Sequence, residues 1–271
     1  MSIPSTVLGL TITALASNLE CQALNFDPNL SVPWGVVVDG DFIWVANTGS
    51  SLVTIYNKLG EPMLPFVKVL GEACQKLQPT GIAVNATNGY VVQVGPVKYP
   101  CQLLIATREG YINGYHEKVD PEHSRMLVKT NAVYTGLAVA QLLYVCDFYH
   151  KKIDTFDGLL NPVNLPFIDE DSTDPIPKEY SPYNISVIQN TLYVTYAPQG
   201  RDLYAIPGRG HGYISIFDLH GRFIRRFASR GVLNCPWAVI PAPSPFGYPS
   251  GAIMVGNFGS GLITVHSPDG Q

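Results

Sequence analysis

The stretch WVANTGSSLVTIYNKLGEP, residues 44–62, holds two apolar-rich segments on either side of a small polar turn, and its plan recurs along the chain. LLIATREGYINGYHEKVDP (103–121), LYVCDFYHKKIDTFDGLLNP (143–162) and IMVGNFGSGLITVHSPDG (253–270) follow the same order. A further run precedes each copy: VPWGVVVD (32–39), QPTGIAVN (78–85), VYTGLAVA (133–140), SPYNISVI (181–188) and CPWAVIPA (235–242). These runs are nearly all apolar or small, as expected of a strand covered on both faces. The strands after the polar turn, such as LVTIYN and YISIFD, alternate apolar with polar residues. In GRFIRRFAS (221–229), Phe and Ile alternate with Arg, which marks a half-exposed outermost strand.

Each unit therefore reads as four antiparallel strands whose burial falls from first to fourth. A repeat of roughly 45–55 residues with that content is the pattern of a β-propeller blade. One such sheet cannot bury both faces alone, so blades pack radially around an axis. The expected fold is all-β: one propeller domain over residues 1–271, with five countable blades beginning near 32, 78, 133, 181 and 235. The last copy has no outermost strand after LITVHS, whereas LTITALAS (10–17) precedes the first. That segment alternates like a strand and lacks a basic leader, so it is expected to complete the last blade and close the ring rather than act as a signal peptide.

Composition narrows the function. The formal charge is −4 and no basic block exceeds Arg225–Arg226, which argues against a nucleic-acid partner. No apolar run approaches the roughly 18 residues of a membrane span, so a soluble chain is expected. Five widely spaced cysteines without a C-x-x-C pair indicate mostly buried free thiols. The acidic run IDEDSTDP (168–175) reads as a solvated loop, and the N-x-S/T triplets at Asn29, Asn85 and Asn184 are weak signs of secretion.

In a four-stranded blade, the loop leading into the inner strand and the turn between the second and third strands share one face of the disc. The inner-strand loops place Trp34, Thr80, Tyr134, Tyr183, Asn184 and Trp237 there. The turns add Asn47, Thr107, Arg108, Asp147, Tyr196 and Asn257. An aromatic rim with a few amides and one carboxylate suits binding. The same residues admit a plainer reading: Asn and Asp cap tight turns, and Trp beside Pro fills the wedge between blades.

The segments DPNLSVPWGVVV, YTGLAVA…LYVCDFYHKKIDTFD, RRFASRGVLNCPWAVIPAP and SGAIMVGNFGSGLITVHSPDG resemble a family of uncharacterised NHL-like β-propeller proteins found largely in bacteria. The resemblance implies the fold rather than a chemistry. It also implies a further repeat after the equivalent of SPDG, six blades against the five countable here. Three functional readings follow. The first is a non-catalytic module that presents this face and the long loops at 166–181 and 198–212 to a protein, peptide or glycan. The second is a lactonase-like hydrolase with Ca²⁺ in the channel on Asn47, Asp147, Asn184 and Asn257, a set with a single carboxylate where calcium favours several oxygen ligands. The third is a structural component of a larger assembly, such as a cell envelope or a virus particle. No G-x-S-x-G elbow occurs, the six histidines fall mainly in turns or outer strands, and GRGHG (208–212) opens a strand rather than a helix, so no catalytic residue is assigned.

Overall fold

A computed structural model of the chain describes residues 12–270. Five antiparallel sheets follow one another as a five-bladed β-propeller, each led by its inner strand. Blade 1 comprises Pro33–Asp39, Phe42–Asn47, Leu52–Tyr56 and Val67–Lys68; blade 2 comprises Pro79–Val84, Leu103–Thr107, Tyr111–Tyr115 and Arg125–Lys129. Blade 3 has three strands, Tyr134–Val139, Leu143–Asp147 and Lys152–Phe156. Blade 4 comprises Tyr180–Ile188, Thr191–Pro198, Tyr213–Asp218 and Phe223–Ser229, and blade 5 has Pro236–Pro241, Ile253–Asn257 and Leu262–His266. The fourth place in blade 3 is held by an extended run in which Val163 donates its backbone N–H to Thr155 and Pro162 bridges Phe156. Prolines at 162 and 166 lack the N–H that a regular ladder needs.

Alternation along the strands decides the packing. Trp44, Ala46, Val53 and Ile55 face blade 2 and share a buried cluster with Ile82, Leu103 and Ile105. Equivalent clusters join blades 2 and 3, 3 and 4, and 4 and 5. Near the axis the inner strands approach too closely for side chains: a Cβ on Gly81 would lie 2.8 Å from the backbone nitrogen of Leu137, and one on Gly35 would lie 2.6 Å from the carbonyl oxygen of Thr80.

The seam between blades 5 and 1 differs. Val36 is 55% exposed, whereas its counterpart Ile82 is 6% exposed; Ile263 is 66% exposed, whereas Ile112 is fully buried. Among the described residues no apolar cluster runs the length of this seam. Part of the free face of blade 1 is covered by residues 14–31: Tyr56 donates its hydroxyl to Asp27 at 2.7 Å, and Ser50 donates to the carbonyl of Asn29. Residues 10 and 11 of the expected closing strand lie outside the described residues. Its described end does not pair with blade 5. Ala16–Ser17 runs parallel to Asn25–Phe26, and the Asn25 amide ties that pair to Leu15 and to Leu59 of blade 1.

The acidic run at 168–175 departs from the solvated loop expected of it. Asp169 forms a part-buried pair with Arg226 at 2.6 Å, while Asp174 meets Arg230 at 3.0 Å. One of the alternating arginines of GRFIRRFAS thus anchors the long excursion onto the outer strand of blade 4. The cysteines are all free, with Cys101, Cys146 and Cys235 buried and Cys21 and Cys74 exposed. Burial pushes the Cys101 thiol up to about 12 and that of Cys235 to about 11, and raises Cys146 well above the ordinary range.

Two outcomes follow from this packing. An aspartate at Ile82 should cost more than about 4 kcal/mol in urea denaturation, as an unpaired buried charge does, whereas Val36→Asp should cost less than about 1 kcal/mol. Because the thiolate is the reactive form, Ellman's reagent at pH 8 should titrate two cysteines in the folded protein and all five after unfolding.

Candidate binding face

A shift of strand register recurs at the same place in all five inner strands, within the segments Pro33–Val36, Pro79–Ile82, Tyr134–Gly136, Pro182–Asn184 and Pro236–Ala238. Bulges of this kind re-aim a side chain. Here they bring Trp34, Thr80, Thr135, Tyr183 and Trp237 to equivalent places at one mouth of the channel. Trp237 reaches from blade 5 to blade 3, where its indole N–H donates to the carbonyl of Thr135 at 2.9 Å. Asn184 of blade 4 donates to the carbonyl of Trp237 at 2.8 Å, and Thr80 donates to that of Tyr134 at 2.9 Å. Trp34 stacks on Phe258 with ring centroids 5.8 Å apart and 18° between planes, and meets Tyr183 edge-on at 6.2 Å. Burial raises the Tyr183 phenol far above its usual range, so it stays protonated.

The excursion at 198–212 lies over one side of this mouth. Arg108 of blade 2 donates to the carbonyl of Leu203 at 3.3 Å, and its guanidinium sits 3.8 Å from the centroid of the Tyr204 ring. The loop returns through Ile206, whose carbonyl accepts from Cys235, and through Gly208, whose N–H donates to Asn234. On the opposite side, at the seam, a groove of about 210 Å³ remains open, lined by Pro33, Trp34, Trp237, Phe258, Leu262 and Ile263 among others. Beneath the mouth the channel widens to a cavity of about 380 Å³ between the inner strands. Apart from Asn184, Ser186 and the indole of Trp237, the side chains lining it are aliphatic or proline.

The turn residues expected on this face are engaged within their own blades. Asn47 donates to Val45 and Thr54, and Asn257 donates to Thr264 while accepting from the backbone of Asn234. One oxygen of Asp147 accepts the backbone N–H groups of Val133, Tyr149 and His150; the other lies 2.5 Å from Nδ1 of His150. Thr107 accepts from Tyr111. Asn47, Asp147, Asn184 and Asn257 belong to four different blades, and among the described residues no group of three or more His, Cys, Asp or Glu is placed to hold a metal ion.

Two expected rim residues are turned inward. Tyr134 is fully buried and donates its hydroxyl to Asp154 at 2.8 Å, leaving the mouth position to Thr135. Tyr196 is buried in the cluster between blades 3 and 4. The first difference was legible in the repeat: aligned on the glycines at 35, 81 and 136, Thr135 rather than Tyr134 matches Trp34 and Thr80. Phe258 was not singled out, although it occupies the same turn position as Arg108 and the signal was therefore present in the repeat.

No family model matches the chain. It is 40% identical over 269 residues to uncharacterized protein R648 of Acanthamoeba polyphaga mimivirus, a match that covers 96% of this chain and 67% of that protein. Uncharacterized protein L690 of the same virus is 37% identical over 269 residues, covering 96% of this chain and 72% of the relative. The chain belongs to the family of R648 and L690. These relatives are viral, so the bacterial membership implied by the resemblance finds no support in them. Among solved structures, a chain of a nidogen/laminin complex superposes with a TM-score of 0.54 at 14% identity, over 88% of this chain and 76% of that one, a likeness of fold alone. Among the described residues no helix is long and apolar enough to cross a membrane.

The hydrogen bonds of Asp147 give a direct test of its part in the fold. Asp147→Ala leaves three backbone donors without their acceptor and should lower unfolding free energy by about 3 kcal/mol, while Asp147→Asn, which keeps an acceptor oxygen, should lose about 1 kcal/mol. If calcium raises the melting temperature of the wild type but not of Asp147→Asn, that carboxylate serves a cation instead.

Proposed function

We propose that the chain is a non-catalytic binding module that presents its aromatic mouth, with the excursion at 198–212 beside it, to a protein, peptide or glycan partner. The observation that supports this reading most is the half-exposed aromatic group at the seam side of the mouth. Phe258, 52% exposed, is stacked on Trp34, which in turn meets Trp237 with ring centroids 6.5 Å apart. Rings held by neighbours lose little freedom on binding, and aromatic anchors of this kind dominate interface energetics. The scaffold supports the role: five bulged strands and a loop clamped by Arg108 hold the face at fixed geometry. The hydrolase reading draws no comparable support, because the side-chain oxygens of Asp147 and Asn257 accept backbone N–H groups of their own blades, and Asn47, Asp147, Asn184 and Asn257 belong to four different blades.

Selection of displayed peptides and a glycan array, run side by side on wild type and Phe258→Ala, tests the proposal. Ligands of the wild type should lose about 30-fold in affinity on Phe258→Ala, the effect of truncating a central aromatic anchor. Ligands that bind both proteins equally would place recognition elsewhere on the disc.

A further inference from the structure

The inner strands enclose a cup on the side of the disc away from the mouth. Aligned on their shared bulge, residues 36–38, 82–84, 137–139, 185–187 and 239–241 form the wall of the cavity of about 380 Å³, and Ser186 is the one polar side chain among them. The end nearest the mouth is closed. There the equivalent positions are Gly35, Gly81, Gly136, Asn184 and Ala238, and a Cβ on Gly136 would strike the side-chain oxygen of Asn184. Asn184 donates its amide nitrogen to the Trp237 carbonyl, and the Trp237 indole crosses from blade 5 to Thr135 of blade 3. The far end is open, for Val36, Val38 and Ile240 on the wall are each more than half exposed. A molecule in solution can therefore reach the aliphatic surface.

The lining restricts what fits. Aliphatic walls give water few hydrogen-bond partners and favour an apolar chain, and a cavity of this volume engulfs a small molecule rather than a protein segment. Among the described residues no lysine, arginine or histidine lines it, and Asp39 follows Val38 at the open end. A carboxylate or phosphate would lose its water there without gaining a counter-charge. At the closed end the amide nitrogen of Asn184 is already committed, so the carboxamide offers its oxygen as an acceptor. Ser186 lies two residues on, along the same face of the strand, and brings a hydroxyl. An alcohol can donate to the first and accept from the second. From this we infer that the cup binds a neutral aliphatic alcohol, its chain between the inner strands and its hydroxyl at Asn184 and Ser186. The site is separate from the aromatic mouth and does not rest on the reading of that face.

The probes are 1-hexanol, 1-octanol and 1-decanol, titrated into the full chain and followed by calorimetry and by tryptophan fluorescence. Decanol should bind with a Kd below about 0.1 mM, and affinity should rise about fourfold for each added methylene. Decanoate at pH 8 should bind about 100-fold more weakly than decanol. Ser186→Ala removes one partner of the hydroxyl and should weaken decanol about fivefold while leaving the increment per methylene unchanged. Val36→Asp, at an exposed place on the wall, should weaken decanol by about tenfold or more, with a melting curve to check that the variant is folded. Phe258→Ala, at the mouth, should bind decanol as the wild type does. Absence of decanol binding up to its solubility overturns the inference, as do an affinity indifferent to chain length, equal binding of decanoate, or wild-type affinity in both Ser186→Ala and Val36→Asp. Loss of decanol on Phe258→Ala would move the alcohol to the mouth and overturn it too. If decanol fails and sedimentation shows a dimer that Val36→Asp dissociates, the open wall belongs to a second copy of the chain and the inference falls.

Discussion

A four-stranded sheet with apolar side chains on both faces has no stable existence in water, and the rest of this molecule follows from that constraint. Each blade must be sandwiched. Blades 2, 3 and 4 are: the residues facing forward from one blade interlock with those facing backward from the next, and the positions at these interfaces are buried. Burial of this kind contributes about 25 cal/mol for each Å² of apolar surface removed from water, so the interfaces between blades, rather than the hydrogen-bonded ladders within them, hold the ring together. The glycines at 35 and 81 are part of the same arrangement, since they allow inner strands to approach where the disc is narrowest.

The constraint is met least completely where blades 5 and 1 meet, and there the molecule offers apolar surface to its surroundings. Residues 14–31 shelter one face through the Asp27–Tyr56 bond and the Ser50–Asn29 bond. At the mouth, Trp34 joins the two blades by stacking on Phe258. Between these two contacts Val36 and Ile263 stay exposed. The seam is thus both the weakest interface of the ring and the place where its aromatic mouth is accessible, because the excursion at 198–212 covers the other side.

Polar side chains divide between two tasks. Those in the turns between second and third strands, Asn47, Asp147 and Asn257, accept or donate to nearby groups of their own blade and shape the turn. Those that cross between blades, Thr80, Asn184 and Trp237, tie neighbouring inner strands or opposite sides of the channel. Arg108 performs a third task by holding a loop from blade 4 through Leu203 and Tyr204. At the mouth, Trp34, Asn47, Arg108 and Thr135 each keep one buried polar atom without a partner.

The blade plan was legible in the residues alone, because alternation and turn chemistry are local: FIWVAN, LLIAT and LLYVCD occupy the same place in their sheets, and SPYNISVI lies within Tyr180–Ile188. Free thiols were legible for the same reason of spacing. Several things were decided only by the tertiary structure. The five register shifts are one, since a bulge depends on the partner strand. Asp169 and Asp174 were drawn from an apparently solvated loop onto Arg226 and Arg230, which lie more than fifty residues away in the chain. The open seam between blades 5 and 1 was also a matter of distant geometry. Local pattern determines which face of a strand is apolar, but only the closing angle of the whole ring determines whether another blade lies against it.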